Sequence, residues 1–575
     1  MNDYTAHYTR FLSSDRLSKS EKEELNEIRN NENEIKARFS SLLSFGTGGL
    51  RGVMKTGMNA MNVHTVAHAT QALADLVLKS NASSRGVVIA HDSRNHSRLF
   101  AETAASVLIA NGIKTYLFDS LRPTPELSFA VRELGCIAGI NITASHNPKE
   151  YNGYKAYWED GAQLSPEQAD VVAKRMQELD IFDDVKQIPF DDAKKNGAVT
   201  MLGEEFDERY LSAVLAQRVN PETLTATKDF KVVYTPLHGA GTRLVPEALR
   251  RAGLSELYVV REQEIPDGNF PTTPKPNPEY AQVFEPGIAL ANCVGSDLII
   301  ATDPDADRVG VMARTESGDF RTITGNQMGG LLLDYIITAY KKSGGLPPSP
   351  YAVKTIVSTE LATRICEKNG IKIHNVLTGF KFIGEVIKNY EASGNGTYLL
   401  GFEESYGYLK GTYARDKDAV STALLITEMA AYHKKNDMTL IDALDELYEH
   451  YGYSFEKTEE LQLVGYNGAE QINALMGALR NTPPQSFAGG RVISIGDYEK
   501  ELFTDTRTGA TTPTGLPKSN VLYFKTEQGD VVVVRPSGTE PKIKFYYLLA
   551  GDSADVCQKK LDAAKAVIAE YTEKL

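Results

Sequence analysis

One plan recurs along this chain and constrains its fold more than any other feature. A short apolar run opens into a loop of Gly, Pro, Ser and carboxylates, as in CIAGINITASHNP, KVVYTPLHGAG, DLIIATDPDADR and TYLLGFEESYG. Helix-period segments alternate with these runs from about residue 60 to about 450. That is the βαβ rhythm of α/β domains with mainly parallel sheets. RGVVIAHDSRNHS reads as one such unit: a buried strand from Val87 to Ala90, a polar loop, then a helix. Ser97 is placed to cap that helix, with Leu99, Val107 and Leu108 on its apolar side and its end near Gly112. Ligands gather beyond the carboxyl ends of strands in open α/β sheets, which is where these loops lie. The blocks at 139–148, 298–308 and 398–408 read as one architectural position used in three successive units.

A length of 575 residues suggests four domains at about 150 residues each. Seams are expected at DDAKKNGAVT before residue 205, after Arg314, at GLPPSP (345–350) and after Tyr453. The expected domains are 1–205, 206–322, 323–453 and 454–575. The last carries NVLYFKTEQGDVVVVRPSGTEPKIKFYYLL and a helical tail, which reads as an antiparallel α+β domain. The charged first 40 residues read as an exposed helix pair.

Hydrophobic residues make up 42% and charged residues 24%, which excludes a mostly disordered or fibrous chain. With 62 Lys plus Arg against 75 Asp plus Glu, the formal charge is −13. No nucleic-acid partner is expected of an acidic chain without a basic block, and an anionic substrate would need positive charge concentrated locally. The four cysteines, Cys136, Cys293, Cys366 and Cys557, form no CxxC and fit a reducing compartment. The opening residues lack a signal peptide's apolar core, and the apolar stretch LLLDYIITAY is broken by Asp334. The expected location is the cytoplasm, without membrane attachment, as a monomer or weak homo-oligomer.

The sharpest motif is Asp303-Pro-Asp305-Ala-Asp307-Arg308 at the end of LIIAT. In an extended segment the alternate carboxylates project to one side, where they can converge on a hard cation. Mutual repulsion makes a divalent ion the natural compensation, and an all-oxygen set favours Mg²⁺ over Zn²⁺. An EF-hand loop is excluded, because its Gly and Glu positions hold Arg308 and Arg314. A surface acidic turn is the other reading.

Thr143-Ala-Ser145-His146-Asn147-Pro148 puts a serine at a strand-end loop, where it can act as a nucleophile with His146 handling protons. The same segment reads equally as a plain Asn-Pro turn. In Arg535-Pro-Ser537-Gly538-Thr539-Glu-Pro-Lys, hydroxyls, backbone N–H groups and a guanidinium fork suit phosphate oxygens. Lys542 and Lys544 share parity and could face the same anion, and a Ser/Thr-stabilised turn is the alternative. Glu403 and Ser405 could accept from and donate to vicinal sugar hydroxyls, and an ordinary strand-end turn explains them equally well. FGTGGLRG sets Arg51 in a glycine-rich loop that fits neither a P-loop nor GxGxxG.

Together these motifs resemble the α-D-phosphohexomutase superfamily, in particular its long bacterial phosphoglucomutase branch, in order from residue 45 to 547. The resemblance implies three α/β domains and one α+β domain around a central cleft. It implies that Ser145 is a phosphoserine and that Ser145, Asp303, Asp305 and Asp307 hold Mg²⁺. Glu403 and Ser405 match the sugar-ring loop, and Arg535, Ser537, Gly538 and Thr539 the substrate-phosphate clamp, with Lys544 where relatives often carry Arg. Gly379 and Lys381, within Thr378-Gly-Phe-Lys381, match the loop for the other end of the sugar. Arg51, His146, Lys155 and Arg308 match polar positions around the phosphoserine, with Lys155 or His146 as acid–base candidates. Tyr406 and Tyr408 stand where many relatives have smaller residues or His.

The implied reaction interconverts glucose 1-phosphate and glucose 6-phosphate through glucose 1,6-bisphosphate. Mannose and pentose phosphates are alternative substrates within the family. The rival within phosphoryl chemistry is a haloacid-dehalogenase-type enzyme with Asp303 as nucleophile, although that motif expects Thr or Val where Asp307 stands.

Overall fold

The computed structural model describes residues 3–46, 48–463, 468–537 and 542–573. The chain divides into two compact units. The first comprises Met1–Ile323, Gly384–Gly394 and Tyr406–Thr439; the second comprises Thr324–Ile383, Asn395–Ser405 and Leu440–Leu575.

The first unit holds two mixed sheets. One has six strands in the order Gly49–Val53, Tyr151–Trp158, Ala138–Ile142, Val87–His91, Thr115–Phe118, Val199–Leu202. Its last four strands run parallel, while Tyr151–Trp158 and Gly49–Val53 add antiparallel at one edge. Val87–His91 and Ala138–Ile142 are buried at every position, as expected of strands covered on both faces. The other sheet has the order Phe320–Ile323, Val309–Arg314, Leu298–Thr302, Lys231–Thr235, Glu256–Val259. Here too a parallel core (Lys231–Thr235 between Leu298–Thr302 and Glu256–Val259) is extended by antiparallel strands. In both sheets, therefore, a buried strand ends in a chemistry-bearing loop and returns antiparallel.

The second unit carries Lys372–Val376, Pro350–Thr355 and Thr397–Glu403 as parallel neighbours in that order. It also carries the C-terminal sheet, whose order is Tyr453–Gln462, Lys542–Gly551, Val531–Pro536, Leu522–Thr526, Gly490–Asp497, Leu502–Asp505, Thr511–Pro513. All of those pairings are antiparallel. Helices Gly468–Asn481 and Ala554–Thr572 contribute to the core on one side of that sheet. The architecture is three α/β domains with mixed, mainly parallel sheets and a C-terminal α+β domain.

Several local expectations need correction. Ser97 is the first helical residue rather than the cap: His96 occupies the N-cap with φ 63°, and Ser97 Oγ donates to Asp92 Oδ1 at 2.7 Å. Leu99 points to solvent, because the buried side of that helix runs through Phe100, Ala104, Val107 and Leu108. DDAKKNGAVT contributes to helix Phe190–Lys195 and leads into edge strand Val199–Leu202. The residues after Arg314 turn a hairpin into Phe320–Ile323, and the second unit begins at the next residue, Thr324. GLPPSP joins helix Gly325–Lys342 to strand Pro350–Thr355 inside one unit. At GLPPSP the Pro-rich composition marks a loop, which a domain interior needs as much as a boundary does.

The amino-terminal segment also differs from an exposed pair. It forms three helices, Asp3–Ser13, Lys19–Glu27 and Glu32–Phe39, around a core of Tyr8, Phe11, Leu25, Ile35 and Phe39 that includes Ile181 and Phe182. Glu21 ties this layer down. It accepts from Ser18 N at 2.8 Å in a capping box and pairs with His64 Nε2 at 3.0 Å. Burial pushes its carboxyl up, but the hydrogen bonds from His64 and Ser18 outweigh this and hold it at about 2. A carboxyl held below its unfolded value stabilises fully above pH ~4.5 and loses that contribution as pH falls toward 2. A shift of this size is worth up to about 3 kcal/mol. Glu21→Gln should therefore lower hydrogen-exchange protection of helix Lys19–Glu27 strongly at pH 7, with the difference from wild type shrinking below pH 4. An equal difference at pH 7 and pH 3 would contradict this.

Candidate active site

Ser145 sits in the loop joining Ala138–Ile142 to Tyr151–Trp158, with its backbone in the left-handed region at φ 51°. Its N–H donates to Thr143 Oγ1 at 2.8 Å, which stabilises the turn locally. Gly153 lets the return strand come close, since a Cβ there would lie 2.4 Å from Thr143 O. The Ser145 side chain is nearly buried and reaches out of its own sheet: Oγ donates to Asp303 Oδ2 at 2.6 Å.

The three aspartates do converge, but not as an extended segment would bring them. Fully extended, Asp303 and Asp307 would stand about 13 Å apart. Residues 303–308 instead form a turn in which Ala306 has φ 51° and its N–H donates to Asp303 O at 2.9 Å. Asp303 Oδ1 accepts from the N–H groups of Asp307 and Arg308 at 3.1 and 3.0 Å, curling the loop around its own carboxylate. Gly239, in KVVYTPLHGAG, makes room for this turn: a Cβ there would meet Pro304 Cα at 2.4 Å, and Ala240 N donates to Pro304 O at 2.7 Å.

One ligand atom from each of Asp303, Asp305 and Asp307 lies within 4.8 Å of the others, and all three residues are buried. Asp305 Oδ1 and Asp307 Oδ1 have no hydrogen-bond partner among the described residues. Unmatched buried acceptors in an all-oxygen cluster fit a hard divalent cation, so the group can hold a metal ion. The remaining oxygens are occupied. Asp305 Oδ2 accepts from Lys155 Nζ at 2.7 Å and Thr124 Oγ1 at 2.9 Å, and Asp307 Oδ2 meets Lys155 and Lys417 Nζ, each at 3.2 Å.

The electrostatics follow from this crowding. Burial, with Asp305 and Asp307 adding to it, pushes the Asp303 carboxyl well up. Burial also opposes ionisation of Asp305, but Lys155 beside it brings that carboxyl below the usual range. Burial disfavours the Lys155 ammonium, and Asp305 and Asp307 more than reverse this, so Lys155 stays charged. His146 Nδ1 lies 3.2 Å from Ser145 Oγ, closer than adjacency in sequence requires. Burial, with Arg308, Arg51, Arg94 and Lys155 around it, holds His146 well below the usual histidine value and keeps the imidazole neutral.

Arg51 lies in edge strand Gly49–Val53, opposite Gly153, rather than in a glycine-rich loop, and its Nη1 donates to Asn147 Oδ1 at 3.2 Å. The nearby Gly49 serves strand packing: a Cβ there would sit 1.8 Å from Tyr154 O. Arg308 Nη1 is paired with Glu279 at 2.6 Å. Tyr406 has φ 68°, and its carbonyl accepts from Val309 N at 3.0 Å, tying its backbone to the strand that leaves the aspartate turn.

In the second unit, Glu403 ends strand Thr397–Glu403 and accepts from Gly379 N at 2.9 Å, which joins two of the expected sugar loops. Gly379 has φ 117°, a conformation suited to glycine, and Lys381 Nζ lies over the Phe382 ring. Ser405 is half-buried just beyond Glu403. Arg535 ends the buried run Val531–Val534, in register with Lys544 on the next strand. Ser537 N donates to Lys542 O at 2.8 Å. Gly538 and Thr539 lie outside the described residues. Lys542 and Lys544 do share a face, but the anion they meet is the chain's own Glu460, at 3.6 and 2.7 Å.

Arg94, Thr124, Glu279, Lys417 and Glu460 carry no motif and were not singled out from sequence. Each reaches its partner from a distant segment, and only the apolar-run-then-loop plan around Arg94 gave a local signal. Asp303 is oriented by two backbone N–H groups and by Ser145, each of which donates to its carboxylate.

Among the described residues, no helix is long and apolar enough to cross a membrane. Three domain families match in succession: phosphoglucomutase/phosphomannomutase alpha/beta/alpha domain I over residues 42–181, domain II over 208–318 and domain III over 324–451. A phosphoglucomutase of Staphylococcus saprophyticus is 37% identical over 532 residues, spanning 92% of this chain and 95% of that protein. One of Staphylococcus aureus is 37% identical over 525 residues, spanning 91% and 93%. Among solved structures, the Paramecium phosphoprotein pp63/parafusin, described as a phosphoglucomutase in its open form, matches with a TM-score of 0.69 at 18% identity, covering 93% of this chain and 95% of that one. A phosphoglucomutase/phosphomannomutase family protein of Burkholderia thailandensis matches with a TM-score of 0.64 at 18% identity, covering 92% and 98%. These two structures support the fold alone. The sequence matches, in chain order and over nine-tenths of the protein, carry the conclusion that this chain belongs to the phosphoglucomutase/phosphomannomutase family.

Proposed function

We propose that this enzyme interconverts glucose 1-phosphate and glucose 6-phosphate, with Ser145 as the phosphoryl carrier and glucose 1,6-bisphosphate as the intermediate. The observation that carries the reading is the 2.6 Å hydrogen bond from Ser145 Oγ to Asp303 in the buried triad. Glucose as the sugar is supported by the identity to the Staphylococcus enzymes named phosphoglucomutase.

Asp303, Asp305 and Asp307 would hold Mg²⁺, which supplies charge neutralisation at the transferring phosphoryl group. In the forward half-reaction the bond from phosphorus to Ser145 Oγ breaks as the bond to O6 of glucose 1-phosphate forms, and the O6 hydroxyl proton ends on Ser145 Oγ. In the second half the bond from phosphorus to O1 breaks as a bond to Ser145 Oγ forms, and the proton that the seryl hydroxyl loses ends on O1. His146 Nδ1, in the tautomer protonated at Nε2, is one acceptor within reach of that hydroxyl. Lys155, held charged by two carboxylates, acts by its charge on the equatorial oxygens rather than as a base. Arg51, Arg308 and Lys417 add positive charge at the same end.

The bisphosphate must present each phosphate in turn, so the far end of the sugar needs its own hold. Arg535, Ser537, Gly538, Thr539 and Lys544 are proposed for the distant phosphate, Glu403 and Ser405 for ring hydroxyls, and Gly379 with Lys381 for the other sugar contacts. We also propose domain limits of 1–205, 206–322, 323–453 and 454–575, and a cytoplasmic location.

A coupled assay comparing glucose 1-phosphate, mannose 1-phosphate and ribose 1-phosphate should give the highest kcat/KM for glucose 1-phosphate. Peptide mapping after incubation with glucose 1,6-bisphosphate should place phosphate on Ser145. An acid-labile adduct on Asp303 would overturn the mechanism, and a preference for mannose 1-phosphate or ribose 1-phosphate would overturn the substrate.

A further inference from the structure

The loop that bears Ser145 has an unusual means of support. Its backbone is neither helix nor strand, and Ser145 itself is left-handed at φ 51°. One side chain donates to four carbonyl oxygens of this loop and of the strand residue that follows it. Arg94 Nη2 donates to Ser145 O at 2.6 Å and to Asn147 O, and Nη1 donates to Pro148 O at 2.9 Å and Tyr151 O at 3.0 Å.

The guanidinium is itself fixed from the other sides. Its Nε lies 3.3 Å from Asp92 Oδ2, and both side chains are fully buried. Asp92 Oδ1 accepts from Arg94 N at 2.9 Å and from Ser97 Oγ at 2.7 Å, which ties the pair to the end of strand Val87–His91 and the start of the next helix. The Phe270 ring, from the segment between Glu264 and Ala281, lies against the guanidinium with its centroid 5.1 Å away. Phe270 is buried with φ 46°, and Gly268 beside it leaves no room for a Cβ against Asn95 N, at 2.3 Å. Arg94 therefore touches the serine loop on one side and the domain that carries the aspartate turn on the other.

We propose that Arg94 is a positioning residue for the phosphoryl transfer: its fork sets the Ser145 loop at the height that brings Oγ to Asp303. This rests on the mutase reading above and assigns the residue that keeps its two reacting halves in register. Five donors in a rigid plane suit the task, whereas a lysine offers the same charge from one rotating point. Because Arg94 contacts only backbone oxygens of the loop, its removal should leave the sugar-binding groups of the second unit untouched. The cost should fall on turnover, in the way that a displacement of about 1 Å at a reacting group costs about 10²-fold.

The test compares R94K, R94Q, D92N and F270L with the wild-type chain, each with Mg²⁺ and glucose 1,6-bisphosphate present. R94K should lower kcat about 10²-fold and R94Q further, with KM for glucose 1-phosphate within about threefold. D92N and F270L, which keep the guanidinium but loosen its seating, should lower kcat several-fold, and they decide the matter if both Arg94 variants fail to fold. The ³¹P resonance of the phosphoserine should broaden or split in the variants, a signature that lost global stability alone does not produce. Full kcat in folded R94K and D92N, a loss confined to KM, or activity that merely tracks the unfolded fraction would overturn the inference. A wild-type chain that carries no phosphate on Ser145 would overturn the mutase reading and this inference with it. A phosphorylated, active wild type beside fully active variants would overturn only the inference.

Discussion

Ser145→Ala should abolish mutase turnover while leaving the fold intact. The hydroxyl is the only atom lost, and its hydrogen bonds run to Asp303 and His146 without spanning a core contact. The backbone turn does not depend on the side chain, because the Ser145 N–H donates to Thr143 Oγ1 and its carbonyl accepts from Arg94. Removal of the proposed covalent nucleophile should cost about 10⁴-fold or more in kcat. The measurement is a coupled assay with saturating glucose 1,6-bisphosphate, together with intact mass to follow phosphate uptake. The wild type should gain one phosphate and the alanine variant none. A variant that turns over within tenfold of wild type would mean that phosphate passes through a different residue.

Asp305→Asn should produce the second large loss, by a different route. The amide keeps the shape of the carboxylate and can still accept from Thr124 Oγ1, so the turn should persist. Its negative charge is lost, and with it one ligand of the proposed metal and the principal partner of Lys155 at 2.7 Å. Loss of a charged ligand should weaken Mg²⁺ binding by about 10²-fold or more, beyond the 10–100-fold typical of outer partners. Two readouts separate this from a merely damaged site. The Mg²⁺ concentration for half-maximal activity should rise, and calorimetric titration of the variant with Mg²⁺ should show weakened binding even without substrate. Unchanged half-saturation by Mg²⁺ would remove Asp305 from the metal set. The same substitution leaves Lys155 without its principal counter-charge, so a lower thermal midpoint is expected beside the kinetic effect.

The site draws on two kinds of information, local pattern and tertiary packing. Ser145 and the aspartate triad were legible in sequence because each stands in a dense local motif at the end of an apolar run. Turn residues, spacing and carboxylate density are properties of a few neighbouring positions, and the chain displays them directly. The antiparallel C-terminal sheet was legible for the same reason, through VVVV, the paired runs around it and the turn between them. Local reading also misled. Alternation of Asp303, Asp305 and Asp307 suggested an extended segment, whereas the positive φ of Ala306 and the hydrogen bonds to Asp303 Oδ1 make it a closed turn. Lys542 and Lys544 share a face as their parity implied, but Glu460 on the neighbouring strand was invisible until the register was known.

The partners of the site belong to this second kind. Thr124 meets Asp305 across 181 positions, Lys155 meets it across 150, and Arg94 reaches the serine loop from more than 50 positions away. None has a spacing that a sequence pattern can register, because each contact depends on which sheet faces which and on how far a loop is pushed from its strand. Residue order thus displays the strand-end loops, their serine, their carboxylates and the α/β class that holds them. Tertiary packing alone decided that Ser145 Oγ stands 2.6 Å from a carboxylate 158 positions away. The reason is physical: helical and extended periodicities act over a few residues, while the meeting of two loops is determined by burial of the sheets that carry them.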